Sequence, residues 1–348
     1  MLASPTTTPI ARSCVFLTGR SRRSRNTSIR SLRPGSSART KLGFRVTQGN
    51  AVPDTAITSP RLSPVFVALA ALCWGVSGGI GGLLMAEGWD PLVVSLYRGA
   101  IGLLFVLAWL AIRRHGSGLG SRRLWFWSTL AGVGVAGNFA LYFVSIAEGS
   151  VAVAATLMYC APVFVYLVSF TLKLERPTPR KWAAMVLVML GIVLLTRIHE
   201  TGAGDVTWLG ASAGLLAGLC YAAFIFGFKY ASAHGSPQAI LVIAFAVLVA
   251  ILVWLADGDQ ALDVLSTPKR PLFLILGVLG AGISFILYVV GLKYTAPAVA
   301  SIVAMIEPVS ASLFGVLLLH ETLVGLQLLG MALILVTVTV LSASSRAP

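Results

Sequence analysis

Two charged side chains lie deep inside apolar stretches of this chain, Arg98 and Glu307. A charge among apolar residues is costly unless it meets a partner or water, so these two mark where chemistry could occur. A guanidinium presents a planar fork suited to a carboxylate or phosphate. A carboxyl at Glu307 could exchange a proton or hold the amine of a bound molecule. A direct Arg98–Glu307 ion pair that only ties helices together is equally open, as is a pair that breaks during a working cycle. Trp74, Tyr159 and Tyr221 fall mid-segment, and Tyr142 and Tyr288 each carry a polar residue one turn earlier, Asn138 and Ser284. These residues read as walls of a polar cavity, against the plainer role of bonding a neighbouring helix. Pro162 and Pro308 also stand inside apolar segments, where a missing N–H kinks a helix and frees carbonyls.

Other motifs exclude more than they add. Gly132-Val133-Gly134-Val135-Ala136-Gly137 fits GxGxxG but follows no strand, so it reads as helix packing rather than a dinucleotide loop. The same holds for Gly75, Gly78, Gly79 and Gly82, whose small-xxx-small spacing suits close helix contact. No Walker motif is present, so ATP is not the direct energy source. Cys14, Cys73, Cys160 and Cys220 have no metal-ligand spacing, and His320-Glu321 has no further ligands beside it. An intramembrane enzyme would need paired acids, a His cluster or a nucleophile with its base, and Arg98 and Glu307 alone do not supply one. Neither enzyme activity, nor a cofactor, nor a metal is expected.

The elements that must position these residues are transmembrane helices. Of 348 residues, 57% are hydrophobic and 11% charged, with a mean hydropathy of +0.88; soluble domains carry about 25% charged residues. Apolar runs recur at 64–84, 91–112, 124–146, 150–172, 182–196, 207–228, 237–256, 271–291, 297–319 and 324–343. Most are long enough to cross a hydrocarbon core of ~30 Å at ~1.5 Å per residue. Their unbroken apolarity excludes a β-barrel, whose strands alternate. The net charge of +14 does not signal nucleic acid, because 11 of the 26 basic residues precede Pro64.

Loop charge orients the spans. With the amino terminus inside, the even-numbered loops hold Arg113, Arg114, Arg122, Arg123, Lys173, Arg176, Arg180, Lys181, Lys229 and Lys293. The odd-numbered loops hold most acids: Glu87, Asp90, Glu148, Glu200, Asp205, Asp257, Asp259, Asp263 and Glu321. This is a positive-inside pattern with both termini cytoplasmic, in the plasma membrane. Residues 1–63 are rich in Ser, Thr, Arg and Pro and read as a disordered basic tail. They suit a cytoplasmic extension or an over-extended start; an Arg- and Ser-rich transit peptide would instead place the protein in an organelle.

The chain also repeats itself at a spacing of 146 residues. Leu141-Tyr142 matches Leu287-Tyr288, Ala152-Val153-Ala154 matches Ala298-Val299-Ala300, Pro162 matches Pro308, and Glu175 matches Glu321. The first and sixth spans align as Leu72-Cys73-Trp74 against Leu219-Cys220-Tyr221. A five-span unit is odd, so its copies at 64–197 and 207–343 must be inverted. The expected fold is an all-α integral membrane protein: ten transmembrane helices in two inverted repeats around a central cavity, a plan found in secondary transporters.

The repeated segments resemble the drug/metabolite transporter superfamily, specifically its EamA-type ten-helix carriers. The resemblance rests on Val299-Ala300-Ser301-Ile302 through Ile306-Glu307-Pro308 to Leu319-His320-Glu321-Thr322, echoed by Ala154-Ala155-Thr156, Ala161-Pro162 and Leu174-Glu175-Arg176. Cys73-Trp74-Gly75 and Arg98 fit as well. Glu307 departs from the symmetry, since Ala161 occupies the corresponding place. The resemblance implies a helical bundle around a cavity that moves metabolites such as amino acids. The expected activity is alternating-access transport of a small amino-acid-like or drug-like molecule, with proton coupling open to Glu307. Nucleotide-sugar or sugar-phosphate carriers are the alternative, although these should show several intramembrane cations. The expected partners are the substrate and the bilayer, with no nucleic acid; the sequence gives no oligomeric state.

Overall fold

A computed structural model describes residues 62–112, 116–200, 207–320 and 322–344. The basic tail up to residue 61, with Arg113, Arg114, His115, Asp205 and Glu321, lies outside the described residues. Among the described residues, ten helices are long and apolar enough to cross a membrane: Ser63–Ala86, Pro91–Ile112, Arg122–Ala147, Val151–Thr171, Pro179–Thr196, Trp208–Ala231, Pro237–Leu255, Arg270–Tyr294, Pro297–Leu319 and Gly325–Ala343. Among the described residues there is no strand. The protein is a multi-pass membrane protein.

Local chemistry sets where the helices begin. Ser121, Ser150, Thr178, Thr207 and Ser236 each accept a hydrogen bond from a backbone N–H three residues on, relieving donors that a helix start leaves unpaired. Several spans run a turn beyond their apolar cores. The fifth starts at Pro179 rather than 182, and the sixth and eighth continue to Ala231 and Tyr294. Arg180, Lys181, Lys229 and Lys293 are thereby drawn into the helices, because long cationic side chains can reach the interface from within a span.

Two spans are broken at corresponding places. The fourth divides into Val151–Met158 and Ala161–Thr171, and the ninth into Pro297–Val303 and Ile306–Leu319. Each second piece carries its proline, Pro162 or Pro308, within its first turn, where a missing N–H costs no intrahelical bond. The eighth span holds a π-helical stretch, Val278–Ile283, between α-helical ends. The matching part of the third span is regular α-helix.

The halves interlock rather than forming separate lobes. The first span packs on the eighth and ninth, and its counterpart, the sixth, packs on the third and fourth. The second packs on the eighth as the seventh packs on the third. Contacts at the loop ends define two faces. On one, which we term basic, Ser63 Oγ donates to Gly291 O at 2.9 Å and Ser236 N to Ser117 O at 3.1 Å. On the other, acidic face, Lys269 Nζ meets Glu87 Oε1 at 2.5 Å and Thr207 Oγ1 donates to Glu148 O at 3.1 Å. Large apolar side chains such as Leu104, Phe126, Trp254 and Leu317 are exposed around the outside, as lipid contact requires.

Candidate functional site

The first span approaches the ninth so closely at Gly75 that a Cβ there would lie 2.4 Å from Glu307 O and 2.7 Å from Ala311 N. Gly79 likewise meets the Phe314 ring, whereas Gly78 has nothing within 4 Å and faces a cavity. That cavity measures about 240 Å³ and is walled by the first four spans with the sixth, eighth and ninth. Arg98, Glu307, Trp74, Asn138, Tyr142, Tyr159 and Tyr221 all line it.

Arg98 is half-buried in the second span. Its Nε donates to Gly280 O at 3.0 Å, within the π-helical stretch, and its guanidinium lies 5.2 Å from the centre of the Phe139 ring. Its Nη nitrogens have no protein hydrogen-bond partner among the described residues, so the outer fork stays available. Glu307 lies in the first turn of Ile306–Leu319, where the helix dipole favours negative charge. Its Oε2 accepts from Tyr221 Oη at 3.2 Å. No nitrogen–oxygen contact within 4 Å joins Arg98 to Glu307. A guanidinium and a carboxyl group therefore face one cavity without pairing with each other directly. Asn138 Nδ2 donates to Ala217 O at 3.0 Å, which leaves its Oδ1 without a protein partner among the described residues.

Ser284 and Tyr288 are placed elsewhere. Both are fully buried, although their repeat partners Asn138 and Tyr142 line the cavity. Tyr288 packs 4.8 Å from Trp74, with Phe224 and Phe228 beyond, and Phe285 lies 5.0 Å from Trp74. This aromatic plug lies on the side toward the basic face, with Tyr288 one helical turn from Gly291. Trp74 Nε1, Ser284 Oγ and Tyr288 Oη are buried there without hydrogen-bond partners. Below the plug, Lys229 Nζ donates to the carbonyls of Leu292, Lys293 and Thr295 at 2.8–3.0 Å. Glu175 accepts from Ala298 N at 3.1 Å and pairs with Lys181 at 2.6 Å.

The acidic face is joined differently. Asp90 N donates to Gln260 Oε1 at 2.8 Å and Tyr97 Oη to Ala261 O at 2.6 Å, tying the second span to the short helix Gly258–Asp263. Ser145 Oγ and Thr207 tie the third span to the sixth. Among the described residues no hydrogen bond or ion pair joins the first group to the second. The cavity runs between them, as far as Met85 and Phe143.

The EamA-like transporter family model matches residues 62–197 and 208–343. The chain belongs to the EamA-like transporter family. The uncharacterized transporter YwfM of Bacillus subtilis is 28% identical over 291 residues, covering 81% of this chain and 94% of the relative. The threonine/homoserine exporter RhtA of Escherichia coli is 28% identical over 284 residues, covering 80% and 92%. A solved crystal structure superposes with a TM-score of 0.64 at 19% identity, covering 81% of this chain and 98% of the other, and thereby shares its fold.

Several residues at the site of this EamA-like transporter escape a reading of residue types. Gly280 presents only a backbone carbonyl, and Phe139 offers a ring face in an apolar run. Ser77 and Ser95 also line the cavity. Lys229 was legible only as a loop charge, and Glu175 only as a matched position of the repeat and its motif, whereas both hold backbone across the basic face. Among the described residues no cluster of three His, Cys, Asp or Glu could hold a metal.

Proposed function

We propose that this EamA-like transporter is a secondary carrier for a small amino-acid-like zwitterion, working by alternating access, with Glu307 as the site of proton coupling. The observation that carries this reading is the unpaired placement of Arg98 and Glu307 on one cavity. Arg98 offers a fork to a carboxylate, and Glu307 with Tyr221 offers acceptors to an ammonium group. A volume of about 240 Å³ falls below the ~300–1,000 Å³ usual for drug-sized ligands. That size, together with a single intramembrane arginine, disfavours the nucleotide-sugar alternative. The name of the relative RhtA, a threonine/homoserine exporter, points the same way.

Alternating access is supported by the inverted repeat and its unequal use. Asn138 and Tyr142 are turned to the cavity, while Ser284 and Tyr288 are shut in the plug. Exchanging these roles would open the basic face and give the buried polar atoms water. Loop charge orients the basic face to the cytoplasm, and we assign the protein to the plasma membrane with the cavity reached from outside in this state.

Proteoliposome counterflow with labelled threonine, homoserine and a panel of other amino acids, with and without a pH gradient, tests this reading. Saturable exchange of an amino acid, accelerated by the gradient, is expected. Exchange of nucleotide sugars with no amino-acid exchange would overturn it.

A further inference from the structure

We propose that a groove between the fifth and tenth spans, on the outside of the bundle, binds an anionic glycerophospholipid from the leaflet at the basic face. These spans pack backbone against backbone at Gly191 and Gly330, toward their acidic-face ends, where a Cβ on Gly330 would lie 2.7 Å from Gly191 O. Between their other halves lies a cavity of about 330 Å³ lined by Ala183, Ala184, Leu187, Val336, Thr337 and Leu341, with Arg180 at its mouth.

Two observations select the occupant. The first is charge. Arg180 is exposed in the first turn of its helix and, with Lys173 and Arg176 on the preceding loop, makes no ion pair among the described residues. The acid of that loop, Glu175, is already held by Lys181 and Ala298 N. The groove is thus capped by uncompensated positive charge at the depth of lipid headgroups, where basic side chains between helices recruit anionic ones. The second is Thr337. The residue is 5% exposed, and its hydroxyl, buried against the groove wall, has no hydrogen-bond partner, whereas Thr339 on the same helix bonds to Leu335 O at 2.7 Å. Thr337 stands seven residues before Ser344, roughly 10 Å along the helix, beneath the level of Arg180. A phospholipid places ester carbonyls below its phosphate and acyl chains below those. Phosphate on Arg180, an ester carbonyl toward Thr337 Oγ1 and an acyl chain against Leu187 and Val336 would match the polar mouth and apolar depth of the groove.

Native mass spectrometry of the full chain, released from nanodiscs of equal phosphatidylglycerol and phosphatidylethanolamine, tests the site. The wild type should retain phosphatidylglycerol in preference. Arg180→Gln should lower that retention about fivefold, the worth of one basic side chain at an anionic surface. Thr337→Val should lower retention of both lipids, and Ala183→Trp, which fills the groove from an exposed wall, should abolish it. Thermal unfolding of each variant keeps misfolding apart from lost binding. Equal retention of the two lipids by the wild type, or undiminished preference in Arg180→Gln, overturns the proposal. So does a dimeric mass that Ala183→Trp converts to monomer, which would assign the groove to a second copy of the chain.

Discussion

Arg98 Nε donates to Gly280 O across 3.0 Å, joining the second span to the one stretch of the eighth wound as a π-helix. Such stretches are costly and recur at functional sites. Here the stretch places a carbonyl where it fixes one edge of the guanidinium and leaves the other edge to the cavity. A Cβ on Gly280 would lie 2.6 Å from Ser77 and 2.9 Å from Arg98 Nε, so only glycine permits this approach.

Gly280→Ala should therefore act like a change at Arg98 itself, displacing the guanidinium without touching its charge. Hydrogen bonds to charged groups contribute about 1.5–3 kcal/mol. Both Gly280→Ala and Arg98→Lys should weaken apparent substrate affinity by roughly 10- to 100-fold in counterflow, with the purified protein still monodisperse. Unaltered affinity in both would remove Arg98 from substrate binding.

Glu307→Gln should abolish stimulation by a pH gradient yet leave exchange without a gradient measurable, because the amide oxygen can still accept from Tyr221. Tyr221→Phe removes a hydrogen bond whose net worth is about 1 kcal/mol. It should lower apparent affinity about fivefold and preserve the gradient response. Gradient-driven uptake that survives Glu307→Gln would place proton coupling elsewhere.

Gly75 and Gly78 are three residues apart yet opposite in surroundings. A Cβ on Gly75 would fall 1.7 Å from Ser310 Oγ and 2.4 Å from Glu307 O, whereas at Gly78 nothing lies within 4 Å. Overpacking of this kind costs about 1–3 kcal/mol. Gly75→Ala should lower the unfolding midpoint in detergent by several degrees, and Gly78→Ala should leave it in place while reducing cavity volume. Equal midpoints would show that the first and ninth spans separate more readily than their packing indicates.

The contrast explains how much the sequence could reveal. Ten spans, their unbroken apolarity and the repeated prolines were legible because helix length and proline chemistry are local properties. Arg98 and Glu307 stood out because charge is rare in apolar runs, and both reach the cavity. Symmetry alone placed Ser284 and Tyr288 beside Asn138 and Tyr142. It could not tell which member of each pair faces the cavity, because one conformation uses the two copies differently. The π-helical stretch was equally hidden: Gly277, Gly280 and Gly282 fit any close-packed helix, and the contact that Gly280 makes with Arg98 comes from another span.

That inequality predicts a labelling pattern. In a background whose native cysteines are replaced by serine, Tyr142→Cys should react with a small maleimide added at the acidic face, and Tyr288→Cys should be protected from either side. Loop positions fix the orientation in intact cells: Asp259→Cys should label with an impermeant reagent and Lys173→Cys should not. Labelling of Tyr288→Cys as fast as Tyr142→Cys would dispose of the aromatic plug as a barrier.

Glu175 offers the sharpest control over that barrier. One carboxylate oxygen accepts from Ala298 N at 3.1 Å, at the start of the ninth span, and the other pairs with Lys181 at 2.6 Å. It therefore clamps the fourth–fifth loop to the span that carries Glu307. Glu175→Gln keeps an acceptor for Ala298 but gives up the ion pair; Glu175→Ala gives up both. If the clamp stabilises closure of the basic face, Tyr288→Cys should become reactive from that face in the Glu175→Ala background, more weakly so with Gln. Reactivity of Tyr142→Cys should fall in parallel, since opening one face closes the other. A rise at Tyr288 with no fall at Tyr142 would mean that the two faces open independently, and that the protein leaks rather than alternates.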